Sequence, residues 1–374
     1  MDPLMFSPSF VSALLCFSMH RGFSTKLAIT ARSTGVVMFK ALGYFLLLLV
    51  LSLSNCWVLA QEQGAAASGA FAAPWEQPDP VQVHGAPHRI EKWDTLSLDG
   101  SDLRPAPPIT GQTDNFPEFT RELVRVQWRD ADPIDLYIIR PTGVSMPPVV
   151  LYLNGYPREA VRFLDPGFCK TVTRNGFAAV GFSSMLTGQR YHDVPMKEWF
   201  VSDLQHSLVG TTHDVQMVLN YLASRGDFDM ARVGIFGQGS GGTIALLAAS
   251  IDPRIKAVDV LDPWGDWPSW LSASRVVPLT ERADYTVPGF LNAVAPLDPV
   301  AVLPKLTSTR LRVQQSLWDS DEIPGTSKKR IAAAVPPNAV LAQFSHLQDY
   351  YNKVGMNGKM LDWMYTSLAP GADR

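Results

Sequence analysis

The residues best placed for chemistry lie in Arg232-Val-Gly-Ile-Phe-Gly-Gln-Gly-Ser-Gly-Gly-Thr-Ile-Ala-Leu-Leu-Ala-Ala249. A short apolar strand, Val233 to Phe236, runs into a glycine-rich turn and then into an apolar helix from about Gly242. In a strand–turn–helix of this kind, G-x-S-x-G places a nucleophilic serine on a strained corner. Aligned on the strand, the motif reads Gly237-x-Gly239-x-Gly241, so the corner holds glycine and the nearest hydroxyl, Ser240, comes one residue late. Three readings stay open. Ser240 is the nucleophile of a turn shifted by one residue; or Gly239 holds the corner and the hydrolytic machinery is lost, because glycine takes a positive φ without strain; or Gly239 leaves room for an activated water.

Other reactive residues carry weaker signals. Cys169 is the sole cysteine after Ala60 and reads as a small buried apolar residue, with no internal disulfide to form. His192 and the His213-Asp214 pair are not at metal-ligand spacing with any partner, and neighbouring helical residues point in different directions. No metal and no cofactor is expected: there is no phosphate loop, and Gly237-x-Gly239 lacks the first-strand context of a dinucleotide fingerprint.

The elements that must position these residues follow from composition and pattern. The chain has 374 residues, 46% of them hydrophobic, and a net charge of −3, which suits one large domain and gives no electrostatic case for nucleic acid. Lys40, the apolar run from Ala41 to Leu59 and the small residues Val58 and Ala60 resemble a secretory signal starting at Met38, which makes residues 1–37 an upstream extension. Export to a periplasmic or extracellular site, with no membrane contact after cleavage, is the expectation. An anchor formed by residues 41–59 is the alternative. Residues 61–118 read as a flexible leader and a proline-rich surface wrap, and residues 119–374 as the folded domain.

Within that domain, alternation predicts a strand at Thr120–Trp128 and a hairpin partner at Asp135–Ile139. Strands and helices then alternate. The apolar run Pro148–Leu153 predicts a strand covered on both faces, and strands follow at 177–182, 232–236, 255–261, 310–317 and 339–344. Helices are predicted near 166–175, 201–225, from 242, at 327–334 and at 356–368. The fold class is α/β, with a mixed, mainly parallel sheet of about eight strands and helices on both faces. Residues 263–305 break the alternation with prolines and with Trp264, Trp267 and Trp270; they predict a lid whose tryptophans either pack as its core or line a substrate wall.

With this order of elements the chain resembles the α/β-hydrolase fold superfamily, particularly its dienelactone-hydrolase and prolyl-oligopeptidase-like branches, over about residues 120–370. That resemblance implies nucleophile, acid and histidine in chain order. Asp321, before Glu-Ile-Pro, matches the acid, with Asp319 in reserve; His346, after the strand Ala339–Phe344, matches the base, although Ser345 stands where the family has glycine. Three strand ends would bring Ser240, Asp321 and His346 together, the imidazole taking the hydroxyl proton and the carboxylate orienting it. In the water-based reading His346 would activate the water. Asn154-Gly155-Tyr156-Pro157 resembles the family's His-Gly turn, so the N–H groups of Gly155 or Tyr156 and of Gly241 would hold the oxyanion. The resemblance thus implies a hydrolase acting on an ester or amide in a small molecule or peptide. The alternative is a non-catalytic member that binds a ligand in the same place. Each match also has an ordinary reading, as a tight turn, a cap or a loop histidine.

Overall fold

The computed structural model describes residues 90–371 apart from 131, 157–158, 187–202, 319–320 and 356–358, all within the compact unit Val83–Arg374. The upstream extension, the signal or anchor, most of the leader, His192 and Asp319 therefore lie outside the described residues.

Among the described residues, nine strands form one sheet in the order β1-β2-β3-β5-β4-β6-β7-β8-β9. β2 (Phe119–Gln127) and β3 (Pro133–Pro141) make the predicted antiparallel hairpin, and β3 pairs antiparallel with β5 (Ala178–Gly181). From β5 onward, β4 (Pro148–Leu153), β6 (Asp229–Gln238), β7 (Ile255–Leu261), β8 (Arg310–Ser316) and β9 (Val340–Phe344) are parallel.

One strand was not expected. β1 (Ile109–Asn115) pairs antiparallel with β2 inside the segment read as surface wrap. Its sequence, Ile-Thr-Gly-Gln-Thr-Asp-Asn, has no apolar alternation because it is an edge strand, exposed on both faces.

Alternate residues of the central strands feed two cores. Val149 and Leu151 of β4 face the helices α2 (Leu204–Arg225) and α3 (Ser240–Ala249), whereas Val150 and Tyr152 face α1 (Pro166–Thr173) and the C-terminal helix α7 (Lys359–Ser367). Burial on both faces is why β4 is apolar throughout. Residues 263–305 fold as helices α4 (Trp267–Ala273) and α5 (Pro288–Val294) with shorter turns, each short because prolines punctuate them. Helix α6 (Gly325–Ala334) connects β8 to β9. The chain leaves β4 for β5 on one side and returns through α2 to β6 on the other. The switch point therefore lies between β4 and β6, where open sheets hold ligands.

Cys169 is buried, its thiol directed at the Phe163 carbonyl, and burial pushes its pKa up to about 11. It is a packing residue, not a nucleophile.

Residues 90–103 strap across α2. Arg129 bonds Glu91, Asp132, Asp214 and the Gly210 carbonyl, and His213 places Nδ1 2.6 Å from Glu91 and Nε2 2.9 Å from the Thr95 carbonyl. Burial alone would raise the Glu91 carboxyl, but bonds from Arg129 and His213 bring it below its ordinary 4.5. A depressed folded value means that the contact is complete above 4.5 and is lost as pH falls below it. Limited proteolysis should accordingly release the strap on acidification and leave it intact between about pH 6 and 8. Arg129→Met, which leaves buried carboxylates without their cation, should cost about 3 kcal/mol in urea unfolding.

Candidate functional site

The site is set by how closely α3 begins to β4 and β6. A Cβ on Gly241 would lie 2.0 Å from the Leu153 carbonyl oxygen, and one on Gly237 would lie 2.4 Å from the Gly241 carbonyl oxygen. Neither position accepts a side chain. Between them, Gly239 turns the chain at φ 56° and ψ −122°, so it is the strand-to-helix corner. Its N–H donates to the Leu261 carbonyl at 3.0 Å, and its carbonyl accepts from Gly242 and Trp264 at 3.0 and 3.3 Å. A Cβ on the corner would meet Glu322 Oε1 at 3.3 Å, a close contact, and would hold a backbone conformation that side chains rarely adopt.

Ser240 is the first residue of α3 and is fully buried. Its Oγ accepts a hydrogen bond from the Tyr156 N–H at 2.9 Å. The hydroxyl thus joins the turn after β4 to the helix, and it uses an N–H expected to hold an oxyanion. Gly155 lies against the corner too, its Cα 3.8 Å from the Cβ position of Gly239. With the corner at Gly239, the N–H next along the chain belongs to Ser240. Gly241, expected as the second donor, is instead the residue that lets the helix meet β4.

Asp321 and His346 sit at the ends of β8 and β9, as expected from chain order, and both are exposed. The Asp321 carbonyl accepts from the Arg275 N–H at 2.8 Å. His346 caps a single helical turn, its Nδ1 accepting from the Asp349 N–H at 3.1 Å. A triad histidine directs Nδ1–H toward its acid; here Nδ1 faces a donor. The carboxyl beside this histidine is that of Asp349, held below its ordinary value first by the hydrogen bond from Lys353.

Of the two readings of the tryptophans, a packed core describes Trp267 and Trp270. All three side chains are buried, with Trp264 and Trp270 rings 4.7 Å apart and Trp267 edge-on to Trp270 at 5.6 Å. Only the Trp264 indole reaches the corner: its Nε1–H donates to Glu322 Oε1 at 2.8 Å. Glu322 is the site residue that the sequence reading passed over. It follows the matched acid directly, and its one signal was a second carboxylate in Asp-Glu-Ile-Pro. Among the described residues, no group of three or more His, Cys, Asp or Glu side chains is placed to hold a metal ion.

The fold is that of α/β-hydrolases. The chain is similar to the acetyl xylan esterase from Paenibacillus sp. R4, with TM-score 0.52 and 16% identity over 73% of this chain and 92% of that one. Acetyl xylan esterase 1 from Thermoanaerobacterium sp. gives TM-score 0.57 and 14% identity, covering 74% of this chain and 92% of that one. An S-formylglutathione hydrolase from Agrobacterium tumefaciens gives 0.52 and 15%, covering 70% and 99%. No family model and no curated protein matches the sequence.

Two substitutions separate the roles of these residues. Ser240→Ala should lower stability by about 1 kcal/mol, because the Tyr156 N–H loses its acceptor. Gly241→Ala should cost about 3 kcal/mol or prevent folding, since its Cβ meets a backbone oxygen that cannot move aside. Urea unfolding of the purified proteins measures both.

Proposed function

We propose that this chain takes an ester- or amide-bearing compound, a small molecule or a peptide, at the carboxyl ends of β4, β6 and β8, and that it forms no acyl-enzyme on Ser240. The position of the sheet's switch point supports the location. The carbonyl chemistry of the compound is supported by likeness of fold to the acetyl xylan esterases and the S-formylglutathione hydrolase.

The observation that carries the second half is the bond from the Tyr156 N–H to a fully buried Ser240 Oγ. A serine nucleophile needs an open oxygen whose proton points at a base. For Ser240 to attack, with His346 as base and Asp321 orienting it, the fully buried hydroxyl would have to be uncovered and His346 would have to turn from the Asp349 N–H. Gly239, by contrast, already has the geometry of the corner without a reactive atom. Residues 263–305 act in this reading as the cover of the site, with Trp264 at its base. Export through residues 38–60 belongs to the same reading and is supported by their order of basic, apolar and small residues.

The test is labelling of the purified full chain with a fluorophosphonate probe, alongside Ser240→Ala and Gly239→Ser. Wild type should remain unlabelled, and Gly239→Ser should gain reactivity at the corner. Wild-type labelling that disappears in Ser240→Ala would establish a shifted serine nucleophile and overturn the proposal.

A further inference from the structure

We infer that Glu322 is a catalytic residue, the general base for a water that attacks the bound carbonyl at the Gly239 corner. The inference rests on the function proposed above and supplies its chemistry. Glu322 Oε1 lies 3.3 Å from the point where a side chain on Gly239 would begin, and Trp264 Nε1 and the Gly155 Cα lie 3.4 and 3.8 Å from it. That point, 3.3 Å from a carboxylate oxygen and 3.4 Å from an indole nitrogen, is tight for a carbon but wide enough for a hydrogen-bonded oxygen. The glycine thus leaves the nucleophile's place open, with a carboxylate at its side.

The carboxylate is held in position. Its Oε1 accepts the Trp264 indole N–H at 2.8 Å, and the Arg275 guanidinium stands 4.0 Å from Oε2. The backbone beneath it is fixed, the Glu322 carbonyl accepting from Ser274 Oγ at 2.6 Å and the Asp321 carbonyl from the Arg275 N–H at 2.8 Å. The side chain remains 36% exposed, so water reaches it. A base needs this combination of a fixed acceptor oxygen and access to the proton that it removes.

In the step, the water oxygen bonds to the carbonyl carbon while its proton passes to Glu322. The carbonyl electron pair moves onto oxygen beside the first turn of α3, where the positive end of a helix favours negative charge. Collapse restores the carbonyl and breaks the C–O or C–N bond. The leaving oxygen or nitrogen takes the proton from the Glu322 carboxyl. One water is consumed, and an acid and an alcohol or amine are released.

The experiment measures hydrolysis of p-nitrophenyl acetate, butyrate and octanoate by the purified full chain, for wild type and Glu322→Gln. The glutamine oxygen still accepts from Trp264, so a purely structural role would survive the change. The inference predicts turnover above the buffer rate in wild type and a loss of about 100-fold or more in kcat in the variant, with KM changed less than about 3-fold. A second readout is the pH profile. Wild-type kcat should rise with pH along an acid limb that Glu322→Gln lacks, and this comparison holds even if the variant is less stable. Wild-type activity retained by Glu322→Gln, or no wild-type turnover of any of the three esters, overturns the inference. Binding is read separately, by tryptophan fluorescence during titration with octanamide, so saturable binding without turnover leaves the proposed function standing. Acetylated Ser240 in the mass of the p-nitrophenyl acetate reaction overturns the function on which the inference rests.

Discussion

Two backbone oxygens, those of Leu153 and Gly241, constrain this site more than any side chain does. They stand 2.0 and 2.4 Å from where Cβ atoms would lie on Gly241 and Gly237, so α3 reaches the ends of β4 and β6 only through glycine. Between these two contacts Gly239 turns the chain at φ 56°. The following residue must then enter the helix with its side chain against the turn after β4. Ser240 fits there because its oxygen is an acceptor for the Tyr156 N–H. The serine is thus part of the packing that makes the corner. Its burial follows from the same backbone approach that, in related folds, presents a nucleophile one residue earlier.

The insertion of residues 263–305 is built on this corner. Trp264 donates its backbone N–H to the Gly239 carbonyl, its own carbonyl accepts from Thr243 Oγ1 at 2.7 Å, and its indole donates to Glu322. Ser274 and Arg275, farther along the same insertion, bond the carbonyls of Glu322 and Asp321. The corner, the insertion and the loop after β8 are therefore held as one unit. Movement of the insertion would carry Glu322 with it, and this links the packing of the tryptophans to the surroundings of the glycine.

Much of this was legible in the sequence for identifiable reasons. The all-apolar Pro148–Leu153, the alternation through Thr120–Trp128 and the helical spacing in α2 each reflect burial on a definite face, so the parallel sheet and its hairpin could be read. Aligning the glycines on the strand placed Gly239 at the corner. What could not be read depends on contacts distant in sequence. β1 is exposed along its length, so no apolar pattern marks it. Trp267 and Trp270 pack against each other, while Trp264, packed beside Trp270, also reaches Glu322 at the corner, a division that the spacing of the three does not reveal. Glu322 approaches Gly239 across more than 80 residues of chain, through loop geometry that leaves no periodic trace. The bond from Asp349 to His346 is local, yet it depends on a single helical turn that the four residues Leu347–Tyr350 do not announce.

The central claim is that the Ser240 hydroxyl is committed to the fold while Gly239 occupies the corner. Amide hydrogen exchange at Tyr156, followed by NMR on the full chain, tests it most directly. If Ser240 Oγ accepts this N–H, exchange should be slow in wild type and at least tenfold faster in Ser240→Ala. Rapid exchange in wild type, unchanged by the substitution, would mean that the hydroxyl is free of the turn, and the account would be contradicted.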